Sequence, residues 1–237
     1  MPAVVEADDE GLYVLKFRGA GQGAKALVAE LIAGEIARAL ALPMPEIVLI
    51  DLDPGLARTE PDPEIQHLIR ASAGINLALD YLPGAVNFDP VAEQPGGDLA
   101  SRIVWFDAFV SNVDRTPRNT NLLMWHRQLK LIDHGAALYF HHGWNGSAEQ
   151  AGNAFPMIKD HVLLPWADAI AHVDAPLAAR LAPDVIAGIV AQVPDAWLAN
   201  EDAFADPAGQ RAAYIAYLSR RLAERGRFVE EAIRARS

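Results

Sequence analysis

The sequence contains no cysteine, and it has too few basic residues to balance its acids. Without cysteine, the 237-residue chain forms neither disulfides nor thiolate metal sites. Its 31 acidic and 20 basic residues give a formal net charge of −11. This excludes a general nucleic-acid binder, which needs a basic face to displace counterions. No apolar run approaches the roughly 20 residues of a membrane span, and the acidic N-terminus has no secretory signal pattern. We therefore expect a cytoplasmic protein with neither a nucleic-acid nor a membrane partner.

Apolar residues, by contrast, make up 51% of the chain, which is enough for one large domain or two smaller lobes. Short strand-like runs and one long amphipathic helix occupy the first 80 residues. From residue 159 onwards the apolar spacing is helical. A run of strands followed by a run of helices predicts an α+β fold.

The stretch with the most chemistry is Asn112–Gly135, which opens N-V-D-R-T-P-R-N-T-N. Asp114 begins a loop that Pro117 keeps from becoming a helix. Asn119 follows Asp114 after five residues, and Asn121 follows it after seven. A loop carboxylate of this kind can orient a hydroxyl group. Asp and Asn are also common turn formers, so a plain polar loop is the competing interpretation.

The second part of this stretch predicts a β-hairpin. Two apolar runs, 122–125 and 129–132, surround a short polar break. If the turn centres on Arg127, the hairpin places Asp133 opposite Asn121. The oxygens of an Asp and an Asn are hard ligands that suit Mg²⁺, which usually combines few protein carboxylates with substrate phosphates. The whole stretch therefore holds the residue types that phosphoryl transfer needs.

A lysine and a glutamate near the N-terminus extend this hypothesis. Lys16 lies in the middle of a predicted strand, Leu12–Arg18, where an ammonium group can hold phosphates. The competing interpretation is a lysine on an edge strand that protects against aggregation. Glu30 lies on a predicted helix, Ala24–Ala41, whose weak point is Gly34, because an interior glycine costs about 1 kcal/mol relative to alanine.

A glycine motif between this strand and this helix offers a different function. Gly19–Gly23 and Ala24 fit G-x-G-x-x-A, and Asp51 closes the next strand, as in a dinucleotide-binding fingerprint. The preceding strand, however, alternates and carries Lys16 and Arg18, whereas a central parallel strand is almost entirely apolar. A flexible connection is the favoured interpretation, and an NAD(P)-dependent enzyme is the minor alternative.

Taken together, D-R-T-P-R-N at 114–119 and L-I-D-H-G at 131–135 resemble the catalytic loop and metal-binding Asp of the protein-kinase-like superfamily. The order H-R-D and the motif D-F-G of eukaryotic protein kinases are absent, so the pattern is nearer to the atypical branches, the HipA-like and phosphoinositide kinases. The helix and strand at 29–50 most resemble those of a bacterial HipA-like kinase.

The resemblance implies a bilobal kinase-like fold, with an antiparallel-sheet N-lobe at 1–82 and a mainly helical C-lobe at 83–237. It implies ATP and Mg²⁺ as cofactors and an unidentified hydroxyl acceptor, either a protein or a small molecule. The implied roles are these: Asp114 as catalytic base, Lys16 on the α/β-phosphates, Glu30 fixing Lys16, Asn119 and Asp133 on Mg²⁺ with Asn121 as second candidate, and Asp80, Tyr81 and Leu82 as the adenine-binding hinge.

The sequence departs from this family at its beginning. A glycine-rich hairpin normally precedes the strand with the lysine, and no glycine loop precedes Lys16. Either Gly19–Gly23 covers the phosphates from the other side, or the chain begins late, or ATP binding is weakened. This departure motivates a second hypothesis, a pseudokinase-like module that binds a nucleotide or a partner without transferring phosphate.

Overall fold

The strands of the protein lie mostly in its first third, and helices dominate the remainder. The structure is a computed structural model that describes residues 2–21, 23–144, 147–199 and 201–237. The strands are β1 Pro2–Glu6, β2 Leu12–Lys16, β3 Ile47–Leu52, β4 Gly74–Asp80, β5 Val86–Asn87, β6 Leu122–Trp125 and β7 Gln128–Leu131. The α-helices are α1 Gly23–Ala39, α2 Pro63–Ala71, α3 Gly97–Val110, α4 Ser147–Gln150, α5 Ile170–Ala179, α6 Pro183–Ala191, α7 Pro207–Ala223 and α8 Gly226–Arg236. The predicted α+β class is confirmed.

The first four strands form one sheet with the order β1-β2-β4-β3. Every neighbouring pair in it is antiparallel; Leu15, for example, lies opposite both Ala3 and Ala78. A dinucleotide-binding fold needs a parallel sheet at its glycine motif. The NAD(P) alternative is therefore wrong, although a strand, a glycine segment and a helix do follow one another as its fingerprint requires.

Helix α1 lies between this sheet and the helical part of the protein, and it is buried along most of its length. Gly34 marks the point of closest approach, because a Cβ at this position would lie 2.5 Å from Cδ1 of Ile47 on β3. The close packing against the sheet explains why a glycine is kept inside the helix despite its lower helix propensity. The helix thereby holds Glu30 in a fixed position next to Lys16 of β2.

The predicted hairpin is present, but its register is one residue off the prediction. His126 and Arg127 both have positive φ angles, 47° and 63°, so they form a two-residue turn of the type that favours tight hairpins. Leu122 consequently pairs with Leu131, and the Ile132 N–H donates to the Asn121 carbonyl at 3.1 Å. Asn121 therefore lies opposite Ile132 and not opposite Asp133.

The helical part packs around α3, whose Trp105 and Phe109 rings stack with centroids 5.5 Å apart. The last part of the stretch with helical spacing contains two helices, α7 and α8, which are separated at Glu224 and Arg225. This break lets Phe228 fold back onto Trp105 in an edge-to-face contact. Among the described residues, no helix has both the length and the apolarity to cross a membrane.

Candidate active site

Lys16, Glu30 and Asp133 meet at one point of a cleft between the sheet and the helical part, and we call them the cleft cluster. Nζ of Lys16 is 2.6 Å from Oε2 of Glu30 and 2.7 Å from Oδ1 of Asp133. The three residues come from the end of β2, the middle of α1 and the segment after β7. The fold thus joins residues that are up to 117 positions apart in the sequence.

The charges of the cleft cluster are strongly coupled. Burial alone would raise the pKa of Glu30, but the Lys16 ammonium and the neighbouring His134 together outweigh burial and hold this pKa well below its usual range. Burial alone would lower the pKa of Lys16, yet Glu30 and Asp133 together raise it. Both groups are therefore charged near neutral pH. The Asp133 side chain is 54% exposed, which leaves it open to a ligand on its solvent side.

Asp114 lines the same cleft as the cleft cluster, and it lies in a loop fixed by a tight turn. The Thr116 N–H donates to the Asn119 carbonyl at 3.0 Å and the Asn119 N–H returns a bond to the Thr116 carbonyl at 3.1 Å. Pro117 is the second residue of this turn, a position that suits its fixed φ angle. The turn carries Asn119 back to Asp114, and its side-chain Nδ2 donates to Asp114 Oδ2 at 2.7 Å.

Asn121 contacts the same carboxylate, since its Nδ2 lies 3.2 Å from Oδ2 of Asp114. Both asparagines therefore direct their amide nitrogens at Asp114, and neither Oδ1 oxygen accepts a hydrogen bond from a described residue. Amide and carboxylate oxygens are ligands that suit Mg²⁺, but the two asparagines line a separate cavity of about 370 Å³ and not the cleft that holds Asp133. Among the described residues, no group of three or more His, Asp or Glu side chains is placed to hold a metal ion.

The cleft itself is a cavity of about 410 Å³. Its lining includes the cleft cluster, Asp114, and Gly21 and Gly23 from the segment that leads into α1. Gln22 lies outside the described residues. A Cβ built at Gly21 or Gly23 would meet nothing within 4 Å, so the backbone here faces open space. Of the three explanations for the missing glycine loop, this arrangement favours a glycine segment that covers the cleft from the α1 side.

A second cavity of about 220 Å³ adjoins the first, since Lys16 and Asp133 line both. Asp80, Tyr81 and Leu82 form its wall. Apolar side chains line the rest, namely Val14, Leu79, Ala85, Leu123 and Ile132. The predicted hinge residues therefore lie next to the cleft, in the apolar surroundings that suit a flat aromatic base.

The backbone of this hinge is already partly used. The Asp80 N–H donates to the Glu46 carbonyl and the Tyr81 N–H to the Leu12 carbonyl, both at 2.9 Å. The Leu82 N–H has no acceptor within the described part of the chain. Of the three predicted hinge residues, only Leu82 keeps a backbone donor for a ligand.

Sequence reasoning missed four residues beneath the catalytic loop: Asp107, Asn112, Arg115 and His161, which we call the buried cluster. Arg115 lies in the stretch for which a polar loop was the competing interpretation, yet it is 1% exposed and its Nε donates to Asp107 Oδ2 at 2.6 Å. A signal was present. Asp107 interrupts the apolar run V-W-F-D-A-F-V of α3, where a carboxylate needs a buried partner.

Comparison with known proteins gives one family and one fold. The family model described as HipA-like kinase matches residues 1–230. A crystal structure of the Helicobacter pylori proinflammatory kinase CtkA is similar in fold, with a TM-score of 0.55 at 12% identity, and the match covers 99% of this chain and 90% of that one. No curated protein sequence matches.

Proposed function

The chain belongs to the HipA-like kinase family, and from that premise we propose that it is an ATP- and Mg²⁺-dependent phosphotransferase that transfers the γ-phosphate to a hydroxyl group. A kinase-type phosphotransferase follows from the family; the cofactors, the acceptor and the roles of the residues are the proposal. The division into an N-lobe and a C-lobe between residues 82 and 83 remains a prediction, and so does the cytoplasmic location.

The observation that carries the proposal is the position of Lys16 between Glu30 and Asp133, facing the Asp114 loop across one cleft. Lys16 would bind the α/β-phosphates, with Glu30 holding its ammonium in place. Asp133 and Asn119 would hold Mg²⁺, and Asn121 is the second asparagine within reach. When bound, the ion would neutralise charge on the phosphates.

The remaining assignments follow from the same cleft. Oδ2 of Asp114 accepts from two asparagines, and its other oxygen accepts no hydrogen bond from a described residue, so it can take the hydrogen of an acceptor hydroxyl. The apolar cavity beside Leu82 would bind adenine, and the segment at Gly21 and Gly23 would lie over the phosphates. Catalysis would then consist mainly of positioning and charge neutralisation.

The test is thermal unfolding of the wild type with ATP, with and without Mg²⁺, and with NADP⁺ as the ligand control. A ligand that binds only the folded state raises the melting temperature. We expect an upward shift with ATP that grows with Mg²⁺ and none with NADP⁺. Asp133→Ala should abolish the Mg²⁺-dependent part, whereas the control Asp51→Ala, an exposed acid on edge strand β3, should keep it.

Transfer is measured separately, with radiolabelled ATP and dephosphorylated casein or the chain itself as acceptor. Asp114→Ala should abolish transfer while ATP binding remains near that of the wild type. Transfer retained in Asp114→Ala would refute the role of Asp114. An ATP shift without any transfer by the wild type would instead favour the pseudokinase-like binding module.

A further inference from the structure

The buried cluster centres on one carboxylate, that of Asp107 on α3. Asn112 Nδ2 donates to its Oδ1 at 2.8 Å, and the Arg115 guanidinium reaches both oxygens, with Nε at 2.6 Å from Oδ2. His161 Nε2 lies 2.8 Å from Oδ2. Since His161 Nδ1 accepts the Leu163 N–H, the ring proton is on Nε2 and is donated to Asp107. Every donor around this carboxylate is thus matched to an acceptor.

Arg115 carries this anchorage to two backbone carbonyls of the active site. Its Nη1 donates to the carbonyl of Asn121, and it lies 3.4 Å from the carbonyl of Ile132, the residue before Asp133. A single guanidinium therefore joins the backbone at Asn121, the second metal-ligand candidate, and at Ile132, the neighbour of Asp133. A planar fork suits such multiple contacts, which an ammonium group makes less well.

The positions that Arg115 joins have unfavourable backbone conformations. Asn121 has a φ angle of 47° and Asp133 one of 56°, both in the left-handed region. Such residues persist only where the surrounding structure holds them. The hydrogen bonds of Arg115 to the carbonyls of Asn121 and Ile132 supply a restraint of this kind.

Asn112 extends the same anchorage to Asp114. While its Nδ2 donates to Asp107, its Oδ1 accepts the Asp114 N–H at 3.1 Å. The Arg115 carbonyl, in turn, accepts the Val162 N–H at 3.0 Å, which ties the loop to the segment that carries His161. Asp107 thus holds the backbone of Asp114 on one side and, through Arg115, the backbone at Asn121 and Ile132 on the other.

We infer that Asp107, Arg115 and Asn112 are positioning residues that set the distances between Asp114, Asn121 and Asp133. They do not line the cleft, so their effect on phosphoryl transfer passes through the residues they hold. The inference rests on the proposed function. A displacement of about 1 Å among reacting groups costs roughly 100-fold in rate, so loss of this anchorage should appear in kcat.

The experiment compares two arginine-to-lysine changes in the full chain. Arg221 is a matched control because it is also buried and donates to backbone carbonyls, those of Ala108, Phe109 and Ala151, away from the metal-ligand positions. Both variants should lose stability. Arg115→Lys should lower kcat for transfer from ATP to dephosphorylated casein roughly 100-fold and raise the Mg²⁺ concentration needed for half-maximal rate. Arg221→Lys should leave both close to wild type.

A second variant covers the case in which Arg115→Lys does not fold. Asn112→Ser shortens only the link between Asp107 and Asp114, and it should lower kcat with little change in the KM for ATP. Equal losses of kcat in Arg115→Lys and Arg221→Lys, or an unchanged kcat in Asn112→Ser, overturn the inference. A wild type without Mg²⁺-dependent ATP binding or transfer overturns the proposed function as well, whereas an active wild type with unaffected variants overturns this inference alone.

Discussion

The protein contains two ionic clusters built from similar parts that lie in different surroundings. The cleft cluster joins Lys16 to Glu30 and Asp133, and it opens to solvent through Asp133. The buried cluster joins Arg115 to Asp107 and His161 without solvent contact. Each contains a cation paired with a carboxylate that has a histidine neighbour: His161 Nε2 lies 2.8 Å from Asp107 Oδ2, and His134 Nδ1 lies 3.6 Å from Glu30 Oε1, beyond hydrogen-bonding distance.

The difference lies in how completely each cluster is satisfied. At the cleft cluster, Glu30 Oε1 and both ring nitrogens of the neighbouring His134 have no hydrogen-bond partner in the described part of the chain. In the buried cluster, each oxygen of Asp107 accepts from two donors. A cluster with spare capacity can exchange partners when a ligand arrives, and a saturated one is suited to holding backbone in place. The following predictions test this contrast, in order of decreasing effect.

The largest effect should come from Asp107→Ala, because it leaves Arg115 as a buried and unpaired charge. Such a loss costs about 3–5 kcal/mol of unfolding free energy. Asp133→Ala removes the exposed partner of Lys16 and should cost about 1 kcal/mol or less. Urea unfolding of the two variants measures both values. Similar losses would show that the two clusters are not as different as their exposure indicates.

Lys16→Met should reduce the rate of phosphoryl transfer more than it reduces the stability of the folded state. Removing one preorganised donor to developing charge costs roughly 10²–10³-fold in rate. Glu30 then lacks its cation, so burial raises the pKa of Glu30 and destabilises the folded state. Adding Glu30→Gln removes that buried charge. The double variant should therefore regain melting temperature without regaining transfer, and recovery of both would contradict the role of Lys16.

A pH titration of stability should reveal the buried histidines. Burial lowers the pKa of His161 below its ordinary value, and burial lowers the pKa of His141 to about 3. The unfolded chain binds these protons near pH 6.5 and the folded chain does not. Stability is therefore fully present above pH 6.5 and falls as the pH decreases, by about 1.4 kcal/mol per pH unit for each histidine.

The measurement is urea unfolding between pH 7 and pH 5, a range in which the carboxylates stay ionised. His161→Gln, which keeps a side-chain donor for Asp107, should reduce the slope by about one proton. His172→Gln on α5 serves as the control, because no hydrogen bond ties that ring to a described residue. An unchanged slope in His161→Gln would show that its imidazole is protonated in the folded state.

The smallest effects should follow Lys25→Met and Arg38→Met. Lys25 Nζ ties α1 to the helical part through the His141 carbonyl at 2.9 Å and Glu201 Oε2 at 2.6 Å. Partly exposed pairs of this kind contribute about 1 kcal/mol or less, which lowers the melting temperature by about 2–4 °C. Arg38→Met, which breaks the exposed pair with Glu35 inside α1, should have a smaller effect. Thermal unfolding compares the two.

The sequence predicted the residues that face the cleft better than those that support it. Lys16 was found as a charge in the middle of a predicted strand and Asp133 as a carboxylate at the open end of a predicted hairpin, and Glu30 was found through the resemblance to HipA-like kinases. The predicted hairpin register was wrong by one residue. The two-residue turn needs positive φ angles at His126 and Arg127, and neither position holds the glycine that usually indicates such a turn.

The buried cluster was missed for a different reason. Arg115 lies inside a polar loop, where spacing predicts exposure, and its burial depends on Asp107 and His161, which come from distant elements. The break between α7 and α8 falls directly before Gly226, whereas the packing of Phe228 onto Trp105 beyond it depends on tertiary contacts. Long-range contacts of this kind override local propensity.

Trp197 gives the fold one more property, because its indole N–H donates to the Ile75 carbonyl on β4 from 122 residues further along the chain. A backbone carbonyl of the sheet thus accepts a hydrogen bond from a side chain in the later, helical part of the chain. Helix α1 also contacts both the sheet and α6. Contacts so distant in sequence form late, after long loops have closed, and they slow folding. The chain should therefore melt in a single transition, and the sheet, cut off after Leu82, should not persist alone.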